Sequence, residues 1–150
     1  MFLTENFLEN DFLLFAKKKD GSINGMTCGW ITEGRLFNEH VIMVFVRRNR
    51  YTFEFIDEAD EFLIATIEDK SILEYFGSVS GRDEDKIKKA GLSFSEDNGM
   101  LKLDQASHNI NLRKVQALDF KGCHYLDDDI NEEYDENNRG HIAFVGVVEE

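Results

Sequence analysis

An apolar run at residues 41–46, VIMVFV, ends in Arg47, Arg48, Asn49, Arg50, Tyr51 and Thr52. Three valines and an isoleucine give this run β-branched character and the length of a strand. Guanidinium forks pair bidentately with phosphate, and a neighbouring hydroxyl can donate to it. The cluster therefore has the chemistry of an anion site. The same residue types also suit a strand that ends in a solvated turn, and on their own they favour that plainer reading.

Other chemistries find little support. The histidines, at positions 40, 108, 124 and 141, show no zinc-ligand spacing, and Cys123-His124 alone is a weak metal signal. The acidic run 127–136 fails as a calcium loop: with Asp127 first, Glu132 stands where glycine is needed and Asn138 where glutamate is needed. It reads instead as a solvated loop, or as a segment that shapes the mouth of a site. No Gly-x-Gly-x-x-Gly follows a strand, and no Walker motif is present. No side-chain nucleophile or acid–base pair stands out, so no catalytic side chain is assigned.

Composition narrows the class further. The net charge is −13, which argues against a nucleic-acid surface and against docking on anionic lipid. A small anionic ligand responds instead to the local field, which Arg47, Arg48 and Arg50 make positive. Two cysteines, Cys28 and Cys123, are too few for a disulfide framework. With no basic n-region and no long apolar run, the expected location is the reduced cytoplasm. One domain over residues 1–150 is expected, with 13 phenylalanines supplying large apolar surfaces.

The elements that position the cluster follow from patterning. Residues 12–16 read as a buried strand, Asp20-Gly21 as a hairpin turn, and 22–30 as the returning strand. Glu33-Gly34 and Asn38-Glu39 mark loops around Leu36-Phe37, before the central strand 41–46. Thr52 is placed to cap a helix over 53–59, with Phe55, Ile56 and Ala59 on one face. A strand over 61–67 follows. Ser71 and Glu74 have capping-box spacing, with Gly77 ending that helix. Asp83-Glu84-Asp85 opens another helix, closed by Lys86, Lys88, Lys89 and Gly91. Residues 93–111 read as irregular, with a short strand near 101–103. Strands are expected at 112–120 and 141–148, with Gly146 at a bulge or close approach. About six antiparallel strands with short flanking helices point to a small barrel.

Three stretches, taken together, carry a resemblance. They are Asn24-Gly25-Met26-Thr27-Cys28-Gly29-Trp30, then Val46-Arg47-x-x-Arg50-Tyr51-Thr52, then Phe76-Gly77-x-x-Ser80-Gly81-Arg82-Asp83-x-Asp85-Lys86. In this order and spacing they resemble the flavin reductase-like, FMN-binding split-barrel family, flavoredoxin-type members included. The resemblance is good over about residues 10–95. It implies a mainly β, Greek-key-like split barrel, usually a homodimer, with FMN near the subunit interface.

The resemblance also implies a site. Thr27, Arg47, Arg50 and Lys86 become phosphate candidates, with Ser80 and Gly81 in a loop before a helix N-terminus. Asn24, Gly25, Met26, Thr27, Cys28, Gly29 and Trp30 become candidates for the flavin ring, and Trp30 or Tyr51 for packing on ring or ribityl chain. Thr52 completes the set. Lys86 has an alternative as an ion-pair partner of Asp83 or Asp85. Cys28 reads as a small buried residue. The chain departs from the family at Arg48, commonly proline, at Asn49, commonly serine, and at Ile31, commonly glycine. A short stretch before the first strand suggests an open ring face. The implied activity is an oxidoreductase using NADH or NADPH. The alternatives are a flavoredoxin-type carrier that takes electrons from a redox protein partner, or a barrel that serves as a binding module.

Overall fold

In the computed structural model, which describes residues 2–134 and 140–149, β1 (Phe12–Lys17) and β2 (Ile23–Cys28) form the hairpin that Asp20-Gly21 announces. Gly21 takes φ +93°, and Ser22 N donates to Asp20 Oδ1 at 2.8 Å. The next hairpin departs from expectation. Residues 31–36 are not a loop but strand β3 (Ile31–Leu36), paired with β4 (Glu39–Arg47). Its two-residue turn is Phe37-Asn38, with φ values of 56° and 57°. A turn with two positive φ values normally signals itself by glycine or asparagine, and a phenylalanine at the first position hides it.

Helix α1 (Tyr51–Glu58) starts two residues earlier than a Thr52 cap requires. Thr52 lies buried inside the first turn, and Arg50 occupies the cap position without a side-chain bond. Phe55, Ile56 and Ala59 are buried on one face, as their spacing predicts. Strand β5 (Glu61–Thr66) leads to α2 (Lys70–Ser78). There Asp69, not Ser71, is the cap, accepting from Ser71 N at 3.0 Å, and Gly77 lies within the helix. Asp85 caps α3 (Lys86–Lys89), and Gly91 follows at φ +70°.

Residues 93–111 are more regular than their sequence suggests. They contain the hairpin β6 (Phe94–Asp97) and β7 (Met100–Leu103), turned at Asn98-Gly99, and the start of β8 (His108–Asp119). Asp127 then caps a short helix, α4 (Asp128–Glu133), so the acidic run begins as helix rather than loop; its residues 135 and 136 lie outside the described set. Strand β9 (His141–Glu149) completes the chain.

One sheet runs β2-β1-β5-β8-β9-β4-β3, antiparallel throughout, with β6–β7 as a separate pair. The main sheet thus has seven strands where about six were expected, and β4 sits beside the β3 edge rather than at the centre. Strands β2 and β3 end the sheet without pairing to each other, which leaves the barrel split. Inward side chains of alternate residues, among them Phe12, Leu14, Ile42, Val44, Ile64, Leu112 and Phe144, fill the interior with Phe55 and Ile56 of α1. A second cluster, with Leu13, Phe15, Leu63, Phe76 and Leu103, joins the outer face of β1 and β5 to α2 and β7. Each such fully buried side chain stabilises the fold by about 1.5–3 kcal/mol relative to exposure.

Gly146 marks a close approach, as expected for a strand glycine. A Cβ there would lie 2.7 Å from Leu112 Cβ and 2.8 Å from Phe62 Cζ. The β8–β9 register slips beside it, between Lys114 and Gln116. At the N-terminal side, a 3-10 turn (Leu3–Asn6) is tied to β3 by the Glu33 carboxylate, which accepts from Leu3 N, Thr4 N and Thr4 Oγ1. Among the described residues, no helix is long and apolar enough to cross a membrane.

Candidate functional site

A cavity of about 260 Å³ opens where β2, the start of α1, the end of α2 and the loop before α3 meet. Of the residues singled out from sequence, Asn24, Met26, Arg50, Tyr51, Thr52, Ser80, Gly81 and Lys86 line it. They come from three distant stretches, and the fold brings them together.

The local reasons are specific. Asn24 and Met26 alternate with Gly25 and Thr27 along β2, so the first pair faces the cavity. Asn24 Nδ2 donates to Thr52 Oγ1 at 2.7 Å, a buried bond that ties β2 to the first turn of α1. Gly81 lies close over Asn24 and Tyr51: a Cβ there would come 2.2 Å from Asn24 Oδ1 and 2.9 Å from Tyr51 Cδ2. Ser80 Oγ accepts from Arg82 N at 3.1 Å, which folds the loop back.

Lys86 sets the electrostatics. It is only 4% exposed, and its Nζ finds one long bond, 3.4 Å to the Phe76 carbonyl, with the Phe76 ring 5.0 Å away. No carboxylate of the described residues forms an ion pair with it. Asp85, one of its expected partners, instead accepts from Lys88 N. Burial, and then the positive charge of Arg50, bring the Lys86 ammonium down to about 8. Lys86 and Arg50 thus line a common space with Asp83, which forms no ion pair with Lys86 among the described residues. The charged form of such a buried amine is poorly supported in the free protein, and an anion beside it would favour that form.

Arg82 is the residue that sequence reasoning left off the site. It lines the cavity, lies 4.9 Å over the Tyr51 ring, pairs with Glu54 at 3.3 Å and donates to the Asn49 carbonyl. Its place directly after Ser80-Gly81 was the available signal.

The remaining expected site residues lie elsewhere. Thr27 Oγ1 donates to the Leu73 carbonyl and its Cβ packs on Gly77, so its hydroxyl is engaged with α2 on the other face of β2. Gly25 is needed for packing, since a Cβ would penetrate the Phe15 ring. Cys28 is buried in the barrel core, and burial pushes its thiol up to about 12. Gly29 lies against Asp11. Trp30, 37% exposed, stacks on His141 with centroids 4.5 Å apart and planes at 17°, and meets Phe45 and Tyr134 edge-on. Arg47 pairs across the ladder with His141, which puts it on that same outer face.

The comparisons bear on this arrangement. A family model described as the flavin reductase like domain matches residues 12–149. The chain belongs to the flavin reductase-like family. Solved structures share the family fold. An FMN-binding domain of a flavin reductase-like enzyme from Shewanella baltica OS155 is 18% identical, with a TM-score of 0.70 over 97% of this chain and 68% of that one. A flavoredoxin from Methanosarcina acetivorans is 21% identical, with a TM-score of 0.68 over 99% and 72%. An FMN-binding protein from Thermus thermophilus, with bound p-hydroxybenzaldehyde, is 17% identical, with a TM-score of 0.68 over 93% and 69%. No curated protein matches the chain significantly. The family membership agrees with the three sequence stretches, and the split sheet agrees with the barrel they implied.

Proposed function

We propose that this protein binds FMN and acts as an oxidoreductase of the NAD(P)H:flavin type. The observation that carries the reading is Lys86, buried without an ion-pair partner among the described residues and lining the same cavity as Arg50 and Gly81. This donor set fits a phosphate monoester. Arg50 and Lys86 supply charge, Ser80 and the loop amides supply hydrogen bonds, and Asn24 and Thr52 hold the floor. A volume of about 260 Å³ suits the phosphate and part of the ribityl chain, with the ring extending outward.

Strand β2 pairs with β1 alone, so its outer edge has backbone groups outside the sheet ladder. Those groups are suited to the polar edge of a flavin ring. Bound FMN supplies hydride and electron transfer, and the protein supplies orientation, charge and solvent access. The expected assembly is a homodimer, and the expected compartment is the reducing cytoplasm, which fits two free cysteines.

The test is direct. The purified protein is titrated with FMN, FAD and riboflavin while flavin fluorescence is followed. FMN should bind best, and failure of all three at micromolar protein overturns the reading. The FMN complex is then mixed anaerobically with NADH or NADPH. Loss of the visible flavin absorption supports the reductase. An unchanged spectrum with both nucleotides, but bleaching by dithionite, favours the flavoredoxin-type carrier.

A further inference from the structure

We propose that the phosphate of a flavin mononucleotide enters this cavity together with a proton, which Lys86 takes up from solvent. The inference rests on the flavin reading above and adds a proton linkage to it. The geometry is that of an amine held where its charged form is poorly supported. Lys86 is 4% exposed, with a single 3.4 Å bond to the Phe76 carbonyl.

The charged neighbours give it no relief. From the loop before α1 comes Arg50, a like charge. From the loop before α3 come Arg82, already engaged by Glu54, and Asp83, which lines the cavity without pairing with Lys86. From its own helix, Asp85 is turned to the Lys88 amide. Helix α2 offers the Phe76 ring and carbonyl, β2 offers Asn24 and Met26, and α1 offers Tyr51 and Thr52. The free amine is therefore largely neutral once the pH exceeds about 8.

A phosphate monoester, with its second pKa at about 6, is already a dianion at that pH. Its arrival beside Lys86 favours the ammonium: the amine gains an N–H bond, the buffer acid gives up that proton, and there is no change of oxidation state. Riboflavin has no phosphate and gives no such uptake. The consequence is selectivity that depends on pH. Affinity for FMN falls by up to about tenfold per pH unit above the value for the free amine, while affinity for riboflavin stays level.

The experiment is calorimetric titration at about pH 8.5 in two buffers of different ionisation enthalpy, which counts the protons taken up. Wild-type protein should take up on the order of half to one proton per FMN bound, and none with riboflavin. Lys86→Met should bind FMN more weakly with no uptake. Lys86→Arg carries a permanent charge and should bind FMN without uptake. Equal proton counts for FMN and riboflavin, or for wild type and Lys86→Arg, overturn the inference and leave FMN binding intact. No binding of either flavin overturns both. If Lys86→Met does not fold, the wild-type comparison of the two flavins still decides.

Discussion

The Asn24 amide donates to the Thr52 hydroxyl at 2.7 Å, with both residues buried. This bond joins the edge strand β2 to α1 and sets the floor of the cavity. Asn24→Ala or Thr52→Val leaves the other partner buried and unsatisfied. Each should cost about 1–3 kcal/mol in urea denaturation, and the double variant should cost less than the sum. Strict additivity would mean that the two groups do not depend on each other.

Arg50→Ala should weaken FMN much more than riboflavin. A charge-assisted hydrogen bond contributes about 1.5–3 kcal/mol, so a loss of roughly tenfold or more in FMN affinity is expected. Thr27→Ala should behave differently, because its hydroxyl serves the Leu73 carbonyl. Its effect should fall on stability, and alike on both flavins. Fluorescence titration of each variant with each ligand checks both statements. An FMN-selective loss in Thr27→Ala would place its hydroxyl at the phosphate.

These two residues also show what was legible in the sequence. The resemblance grouped Asn24 to Trp30 as one motif. Period-two alternation splits them, with Asn24 and Met26 at the cavity and Thr27 against α2. The β1–β2 hairpin was legible because Asp20-Gly21 is a strong turn signal. The β3–β4 hairpin was not, because Phe37 takes a positive φ that its side chain does not advertise. Thr52 looked like a cap, but its hydroxyl is spent on a long-range bond to Asn24 that no local pattern reveals. The Trp30–His141 stack joins residues far apart in the chain and needed the β4–β9 pairing to be seen.

Glu33 makes the N-terminal turn depend on pH. Its side chain is 2% exposed. Burial alone would raise its carboxyl, but the donors from Thr4 and Leu3, with His40, outweigh burial and hold it below the ordinary value of 4.5. A group with a depressed folded pKa stabilises the fold fully above its unfolded value and stops doing so as the pH falls through the folded one. Glu33→Gln should therefore be less stable than wild type at neutral pH. The difference should shrink as the pH drops below about 4.5. Urea midpoints across this range test it, and a constant difference would rule the linkage out.

The outer face of β8, β9 and β4 should be the homodimer interface. It presents Trp30 and Leu118, each more than a third exposed, over an aromatic group with Phe45, Phe120 and the buried His141 and over the buried Val41, Val145 and Val147. Helices α1 and α2, by contrast, pack against β1 and β2. Sedimentation should report twice the 17.4 kDa chain mass. Leu118→Glu, on exposed β8, should shift the species toward monomer, since a stable interface needs roughly 1,200–2,000 Å² of well-packed area. A monomer at all workable concentrations sinks this expectation.

Gly81 and Gly146 are both too crowded for a Cβ, yet alanine should affect them differently. At Gly146 the added carbon meets Leu112 Cβ at 2.7 Å and the Phe62 ring at 2.8 Å, inside a sheet where Gly146 is paired with Ile42 on one side and Lys114 on the other. Nothing there can yield cheaply, so Gly146→Ala should destabilise by about 1–3 kcal/mol through overpacking. At Gly81 the obstacle is Asn24 Oδ1 at 2.2 Å and Tyr51 Cδ2 at 2.9 Å, both at the cavity wall. The loop that carries Gly81 is partly exposed and can lift away. Gly81→Ala should therefore cost little stability, but it raises the roof over Asn24 and moves the Ser80 loop from Arg50 and Lys86. FMN affinity should fall while the urea midpoint barely moves, and Gly146→Ala should show the reverse. If Gly81→Ala instead unfolds the protein and leaves FMN affinity unchanged in the folded fraction, the Gly81 loop is a packing element and not a wall of the site.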